Sequence, residues 1–438
     1  MSQEQDGYGS GQRVPQTLAE KLIARAAGRE GVKPGEVVTC RVDLAMLHDS
    51  GGPRRIAPLL KRLGRPVWDP ARVVLVADHF TPADNARTRA IGELTRAWAA
   101  AAGVRNFYDG EGICHVVLPE RGHLRPGMFA VGGDSHSPTG GAFGCYMFGV
   151  GATDMAAVLA TGETWLQVPE TLRIECGGQL PAGVLAKDLI LHLIARLGLG
   201  GAAYRAVEFA GSAISALGME ERMTLCNMSA EIGAQTGLIA PDDMTAQYLD
   251  SVGVDPSGAA DWVADVGAVY GEVVRLDAGV VAPQVALPDS PANAAPVEEA
   301  AGTRVDRCYI GACTGAKLAD LHMAARVLAG RRVATGTRLT VAPASARVAA
   351  MADSDGTFET LRDSGAELLP TGCGACAGYG GSMLEDEEVC IASTARNFKG
   401  RMGHPGSRVY LGSPLTVAAS AVQGEITDPR PMLAGDPP

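Results

Sequence analysis

The sequence predicts an α/β protein built on parallel sheets, and three observations carry that prediction. Short apolar runs such as RVVLVAD (72–78) and RLTVAPA (338–344) have the length and two-sided hydrophobicity of buried strands. Ala/Leu-rich runs of helix length lie between them, and strands alternating with helices imply helices on both faces of parallel sheets. The composition agrees: 46% hydrophobic residues, 5% aromatics and 56 Gly in 438 residues suit a closely packed enzyme of roughly two to four domains.

Along the chain, the polar, Gly-rich MSQEQDGYGSGQRVPQ has neither a basic nor an apolar segment, so it reads as a disordered tail (1–15) rather than a signal peptide. DNARTRAIGELTRAWAAAAG (84–103) and AKDLILHLIARLG (186–198) read as helices. The Pro- and Ala-rich stretch 286–302 has no period and reads as a linker. AKLADLHMAARVLAGRRV (316–333) reads as a helix closing on Gly330 and two arginines. No apolar run approaches the ~20 residues of a membrane span, so a soluble, cytoplasmic protein with no membrane partner is expected. A net charge of −11 argues against a nucleic-acid partner, while leaving room for a locally basic site.

PTGCGACAGYGG (370–381) places Cys373 and Cys376 among small residues. A zinc knuckle, a redox pair, an iron–sulfur loop and two buried cysteines all fit that pair alone. Cys313, in YIGACTGAKLADL, follows the strand-like CYIGA and precedes a helix. Such turns bind ligands in open α/β folds, and a helix N-terminus lowers a thiol pKa. Structural zinc and a fully ligated iron–sulfur cube each take four protein ligands. Three thiolates would leave a metal corner open as a Lewis acid. Cys40, Cys145, Cys176, Cys226 and Cys308 read as buried small hydrophobes.

Four of the eight histidines fall in short polar segments: His48–Asp49 in LHDSGGP, Asp78–His79 in VADHF, His115 in GEGICHVVLPE, and Asp134, Ser135 and His136 in VGGDSHSPTGGAFG. Neighbouring carboxylates orient imidazoles for proton transfer.

These residues carry a resemblance. GDSHSPTGGAFG, RMTLCNMSAEIGA, IGACTGAKLADL, GCGAC and ARNFKGRMG occur in the order found in the aconitase superfamily. The similarity runs from TLAEKLIARAAG to LGSPLTVAASAVQGEITDPR and is strongest to large subunits of the 3-isopropylmalate dehydratase and homoaconitase type. The resemblance implies three doubly wound α/β/α domains, here 16–167, 168–285 and 303–438, without the mobile fourth (swivel) domain, which a separate small subunit supplies. It implies a [4Fe-4S] cluster on Cys313, Cys373 and Cys376, with one open iron and Asn227 beside it. It gives Asp78, His79, His115, Asp134, His136 and Glu231 catalytic roles, and it assigns substrate binding to His48, Ser135, Arg396 and Arg401. Arginine suits that task because its planar fork matches a carboxylate.

The implied reaction is dehydration and rehydration of a malate-type hydroxy acid. A homoaconitase-, dimethylmalate- or methylmalate-type dehydratase is the alternative, and a non-catalytic metal-binding relative is another. Three departures stand out: Gly315 and Ala395 replace family asparagines, and PAS (343–345) replaces the usual Pro-Gly-Ser turn.

Overall fold

The computed structural model describes residues 14–379 and 382–433, so most of the expected tail lies outside the described residues. The first seven strands are β1 (Val37–Arg41), β2 (Leu44–His48), β3 (Val73–Ala77), β4 (Asn106–Asp109), β5 (Phe129–Gly132), β6 (Tyr146–Gly149) and β7 (Glu163–Gln167). Five of them form a parallel sheet in the order β4-β3-β2-β5-β6, while β1 and β7 pair antiparallel beside it. Every residue of β2 and β3 is buried. That is the burial expected of strands covered on both faces, and it is why RVVLVAD lacks alternation.

A second, four-stranded parallel sheet comprises β8 (Thr171–Gly177), β9 (Ala206–Ala210), β10 (Thr236–Ile239) and β11 (Glu272–Asp277), in the order β10-β9-β8-β11. The third sheet has seven strands: β12 (Gln284–Ala286), β13 (Ala294–Pro296), β14 (Arg307–Ile310), β15 (Arg338–Val341), β16 (Glu367–Leu368), β17 (Val389–Ala392) and β18 (Arg408–Leu411). Its order is β13-β12-β18-β17-β14-β15-β16, parallel except at β12 and β13. The segment expected to be a linker therefore supplies an antiparallel edge. Pro296 is tolerated there because an edge strand can do without one N–H.

The predicted helices are present with adjusted ends. Ala86–Ala102 starts at a capping box on Asn85 and stops at left-handed Gly103. Ala186–Leu197 is buried along most of its length. The third runs Leu318–Leu328 and stops at Ala329, just before Gly330. It begins later than expected because residues 311–317 wind around Cys313. No helix among the described residues is long and apolar enough to cross a membrane.

All three main strand orders reverse direction, between β2 and β5, between β8 and β11, and between β14 and β17. Such switch points open a crevice at the carboxyl ends of the strands. His48 ends β2, Asp78 and His79 follow β3, and Asp134 to His136 follow β5. Cys313 follows β14, Cys373 and Cys376 follow β16, and Arg396 follows β17.

Candidate active site

The five-stranded sheet supplies a wall of paired acids and bases. His79 Nδ1 lies 2.6 Å from Asp78 Oδ1, and the His79 backbone N–H donates to Asp49 Oδ1 at 3.1 Å. Burial pulls the His79 pKa down, but the Asp78 carboxylate and its hydrogen bond more than reverse this and hold it at about 9. Burial likewise opposes ionisation of Asp78, yet His79 keeps this carboxyl below its ordinary range. The pair is therefore an ion pair at neutral pH, with Nε2 on the side away from Asp78.

The His48 ring stacks on His79 with centroids 4.4 Å apart. Its Nε2 lies 2.8 Å from Gly133 O, which can only accept, so that nitrogen carries the proton. Nδ1 then accepts from Ser50 Oγ at 3.0 Å, and the ring is neutral with both nitrogens engaged. Burial first, and then the charge of His79, hold its pKa low.

Asp134 Oδ1 accepts from His115 Nε2 and from the His136 N–H, each at 2.8 Å. Despite burial, these histidines hold Asp134 well below the usual carboxylate range. His136 Nε2 lies 3.0 Å from Glu231 Oε1, and the same oxygen accepts from Arg396 Nε at 2.7 Å. Arg396 Nη1 donates to Ser135 Oγ at 2.9 Å. Glu231 sits in the turn Ser229–Ile232 after the helix Met219–Met228, so the second sheet's connection places it opposite His136. Burial opposes its ionisation, but His136 and Arg396 hold its pKa low.

The thiols approach from the seven-stranded sheet. Ala312 adopts a left-handed conformation (φ 69°) just before Cys313. That is a strained choice for a residue with a Cβ, and it turns the thiol into the crevice. Asn227 Nδ2 donates to Cys313 Sγ at 3.1 Å and to Thr139 Oγ1 at 2.8 Å. Gly372 (φ 137°) lets the cysteine loop lie on the acid–base wall: an added Cβ would sit 3.0 Å from Asp78 O. Cys373 donates its N–H to Asp78 O at 3.0 Å, and its Sγ lies 3.8 Å from Asp78 Oδ2.

A helix N-terminus was expected to lower the Cys313 pKa. Instead, burial pushes it up to about 12, with Cys376 adding and Asn227 opposing. The reason is position: Cys313 is buried and lies several residues before the helix starts at Leu318. Burial also raises Cys373 well above the usual thiol range.

Tyr309 Oη and Asn227 Oδ1 are buried near these thiols without hydrogen-bond partners among the described residues. A three-thiol set, two of them buried and Cys373 half-buried, whose protons a metal would displace, with small residues around it, fits an iron–sulfur group held by Cys313, Cys373 and Cys376.

Most of the residues expected from the sequence meet in this crevice. The carbonyl of Arg401 backs onto Gly378 at the end of the cysteine loop, and its Nε is buried without a hydrogen-bond partner among the described residues. Gly315 has a local reason. A Cβ there would lie 2.2 Å from Ser393 Cβ, and Ser393 Oγ bonds Gly311 and Gly315 instead. Ala344 of the PAS turn is buried and accepts the Ile113 N–H at 2.8 Å, joining the two sheets' loops. Sequence reasoning missed Lys187, Thr139, Tyr309 and Ser393. Lys187 had no visible signal, because a lysine in a helix's first turn ordinarily reaches for solvent.

An acid–base pair, a carboxylate–arginine shell and three thiols around one crevice define a site of the hydro-lyase class. The chain matches the Aconitase family (aconitate hydratase) over residues 20–303 and 298–424, and it belongs to that family. It is 44% identical to 3-isopropylmalate dehydratase large subunit 1 of Methanopyrus kandleri, over 95% of this chain and 99% of that protein. A probable methanogen homoaconitase large subunit of Methanothermobacter thermautotrophicus is also 44% identical, over 95% of this chain and 98% of that one. The probable 3-isopropylmalate dehydratase large subunit of the same organism is 41% identical, over 94% and 98%.

Proposed function

We propose that this chain is the catalytic large subunit of an iron–sulfur hydro-lyase that dehydrates and rehydrates a malate-type hydroxy di- or tricarboxylic acid, most like 3-isopropylmalate dehydratase. The observation that carries this reading is a largely enclosed His79 whose Nδ1 lies 2.6 Å from Asp78 Oδ1, with the carboxylate and carbonyl of that Asp78 both touching Cys373. When bound on Cys313, Cys373 and Cys376, a [4Fe-4S] group would supply a Lewis acid for the substrate hydroxyl.

The chain's own residues do the rest. His79 gives a proton to the departing hydroxyl, which leaves as water, and Asp78 stabilises and orients the imidazolium. His115, Asp134 and His136 form a connected chain that fixes hydrogen-bond donors around the reacting oxygen. Arg396, held by Glu231 and Ser135, presents its guanidinium to a substrate carboxylate. Removing the proton alpha to that carboxylate needs a base beyond the residues given roles here. A separate small subunit, closing over the crevice, supplies it. The relatives' names as large subunits support such a partner. Relatives named for 3-isopropylmalate and for homoaconitase are equally similar, so the substrate's third substituent is the open choice.

The test is anaerobic reconstitution with iron and sulfide, with and without a small subunit. 3-Isopropylmalate, homocitrate, citrate and dimethylmalate are assayed by ultraviolet absorbance of the unsaturated product. Turnover of one of these only with the partner present is expected. Loaded protein that dehydrates none of them with the partner present would defeat the proposal.

A further inference from the structure

Lys187 is 2% exposed, and its ammonium touches only neutral oxygens. Nζ donates to Thr394 O at 2.6 Å, Ser393 O at 3.2 Å and Thr314 Oγ1 at 3.4 Å. Among the described residues no carboxylate forms an ion pair with it. Its neighbour Asp188 is occupied elsewhere, accepting the N–H groups of Leu185 and Gln284, each at 2.8 Å. The other buried lysine of this region, Lys317, has an acid partner: its Nζ lies 2.7 Å from Asp320 Oδ2. An ammonium buried with no counter-ion is costly, so a fold that keeps one has an anion to set against it.

The three oxygens that hold Lys187 identify that anion. Thr314 follows Cys313 directly, and Ser393–Thr394 lead to Arg396. The ammonium thus enters from the helix Ala186–Leu197 between the two loops at the β14/β17 switch point, within electrostatic reach of Cys313 and Cys376. We infer that Lys187 is the fixed counter-charge of the three-thiolate centre, a positioning residue that sets how readily the iron–sulfur group accepts an electron. It also ties the Cys313 turn to the Arg396 loop. The inference rests on the three-cysteine reading of the cofactor. A fixed positive charge beside a cluster favours its reduced form, because net charge and hydrogen bonding set cluster potentials.

The test is an EPR-monitored redox titration of reconstituted wild type, Lys187→Arg, Lys187→Gln and Lys187→Met, with iron and sulfide counted and folding checked by circular dichroism. Gln retains a donor for the two carbonyls but carries no charge. The one-electron reduction equilibrium of the Gln and Met variants is expected to weaken about tenfold, a fall of ~59 mV. Arg should lie close to wild type. Folded Gln and Met proteins that fail to load, while Arg loads, would equally support the counter-charge. A Gln variant that loads with an unmoved potential would overturn the inference, as would loss of loading in all three, Arg included. Wild type that takes up no iron and sulfide is a separate result and would defeat the cofactor reading itself.

Discussion

The two walls of the crevice differ in how far the chain satisfies its own polar groups. On the acid–base wall each carboxylate takes two donors. Asp49 holds the N–H groups of His79 and Phe80, and Asp78 holds His79 and Cys114. Asp134 holds His115 and His136, and Glu231 holds His136 and Arg396. The thiol wall is the reverse. Burial pushes Cys313 and Cys373 toward neutrality, and Tyr309 Oη, Asn227 Oδ1 and Arg401 Nε are buried without hydrogen-bond partners among the described residues. One wall is preorganised by the chain alone. The other leaves buried polar atoms and thiols for the proposed iron–sulfur group to engage. The difference is chemical, because imidazole and carboxylate can neutralise each other within a protein, whereas three thiols in one place need an external cation to ionise.

The sharpest way to break this contrast is to remove the thiols. Cys313→Ser, Cys373→Ser and Cys376→Ser should each abolish iron and sulfide uptake and activity, whereas Cys308→Ser and Cys390→Ser should spare both. Metal analysis and absorbance spectra decide it, and a cluster lost in Cys308→Ser but kept in Cys313→Ser would reassign the ligands.

On the other wall, His79→Gln and Asp78→Asn should lower kcat by ~10²–10⁴, the usual worth of a general acid, with iron content unchanged. Equal loss of iron would mean that the walls are not separable.

Arg396→Lys should lower kcat/KM about tenfold or more, since a charged hydrogen bond is worth ~1.5–3 kcal/mol. A matching loss on monocarboxylate analogues would argue against a carboxylate clamp.

The His79 ion pair also predicts a pH dependence. The folded-state pKa is raised from 6.5 to about 9, so its contribution to stability is complete below pH 6.5 and is lost as pH rises through about 9. Denaturant titrations across that range should lose this slope in Asp78→Asn.

The smallest effect is expected at Gly315. Gly315→Ala should cost ~1–3 kcal/mol of stability by overpacking against Ser393, with Ser393→Gly restoring much of it. An unchanged denaturation midpoint would show that Ser393 moves aside freely.

By itself the sequence determined the α/β class, the loops after β3, β5, β14, β16 and β17 that carry chemistry, and the family. These are written locally, in apolar runs of strand or helix length and in short motifs such as VADHF and GCGAC. It misread 286–302, because three-residue edge strands rich in Pro and Ala carry no period. It misjudged the Cys313 pKa, because burial depends on what folds over the thiol and not on its neighbours in the chain. Only the tertiary structure decided which carboxylate meets which histidine, as with Glu231 and His136, 95 residues apart. It alone showed that Ser393 occupies the space an asparagine at 315 would need, and that Lys187, 206 residues before Ser393, reaches both the loop of Cys313 and the loop that leads to Arg396. Partnership across such separations depends on packing between sheets, which no local pattern of residues encodes.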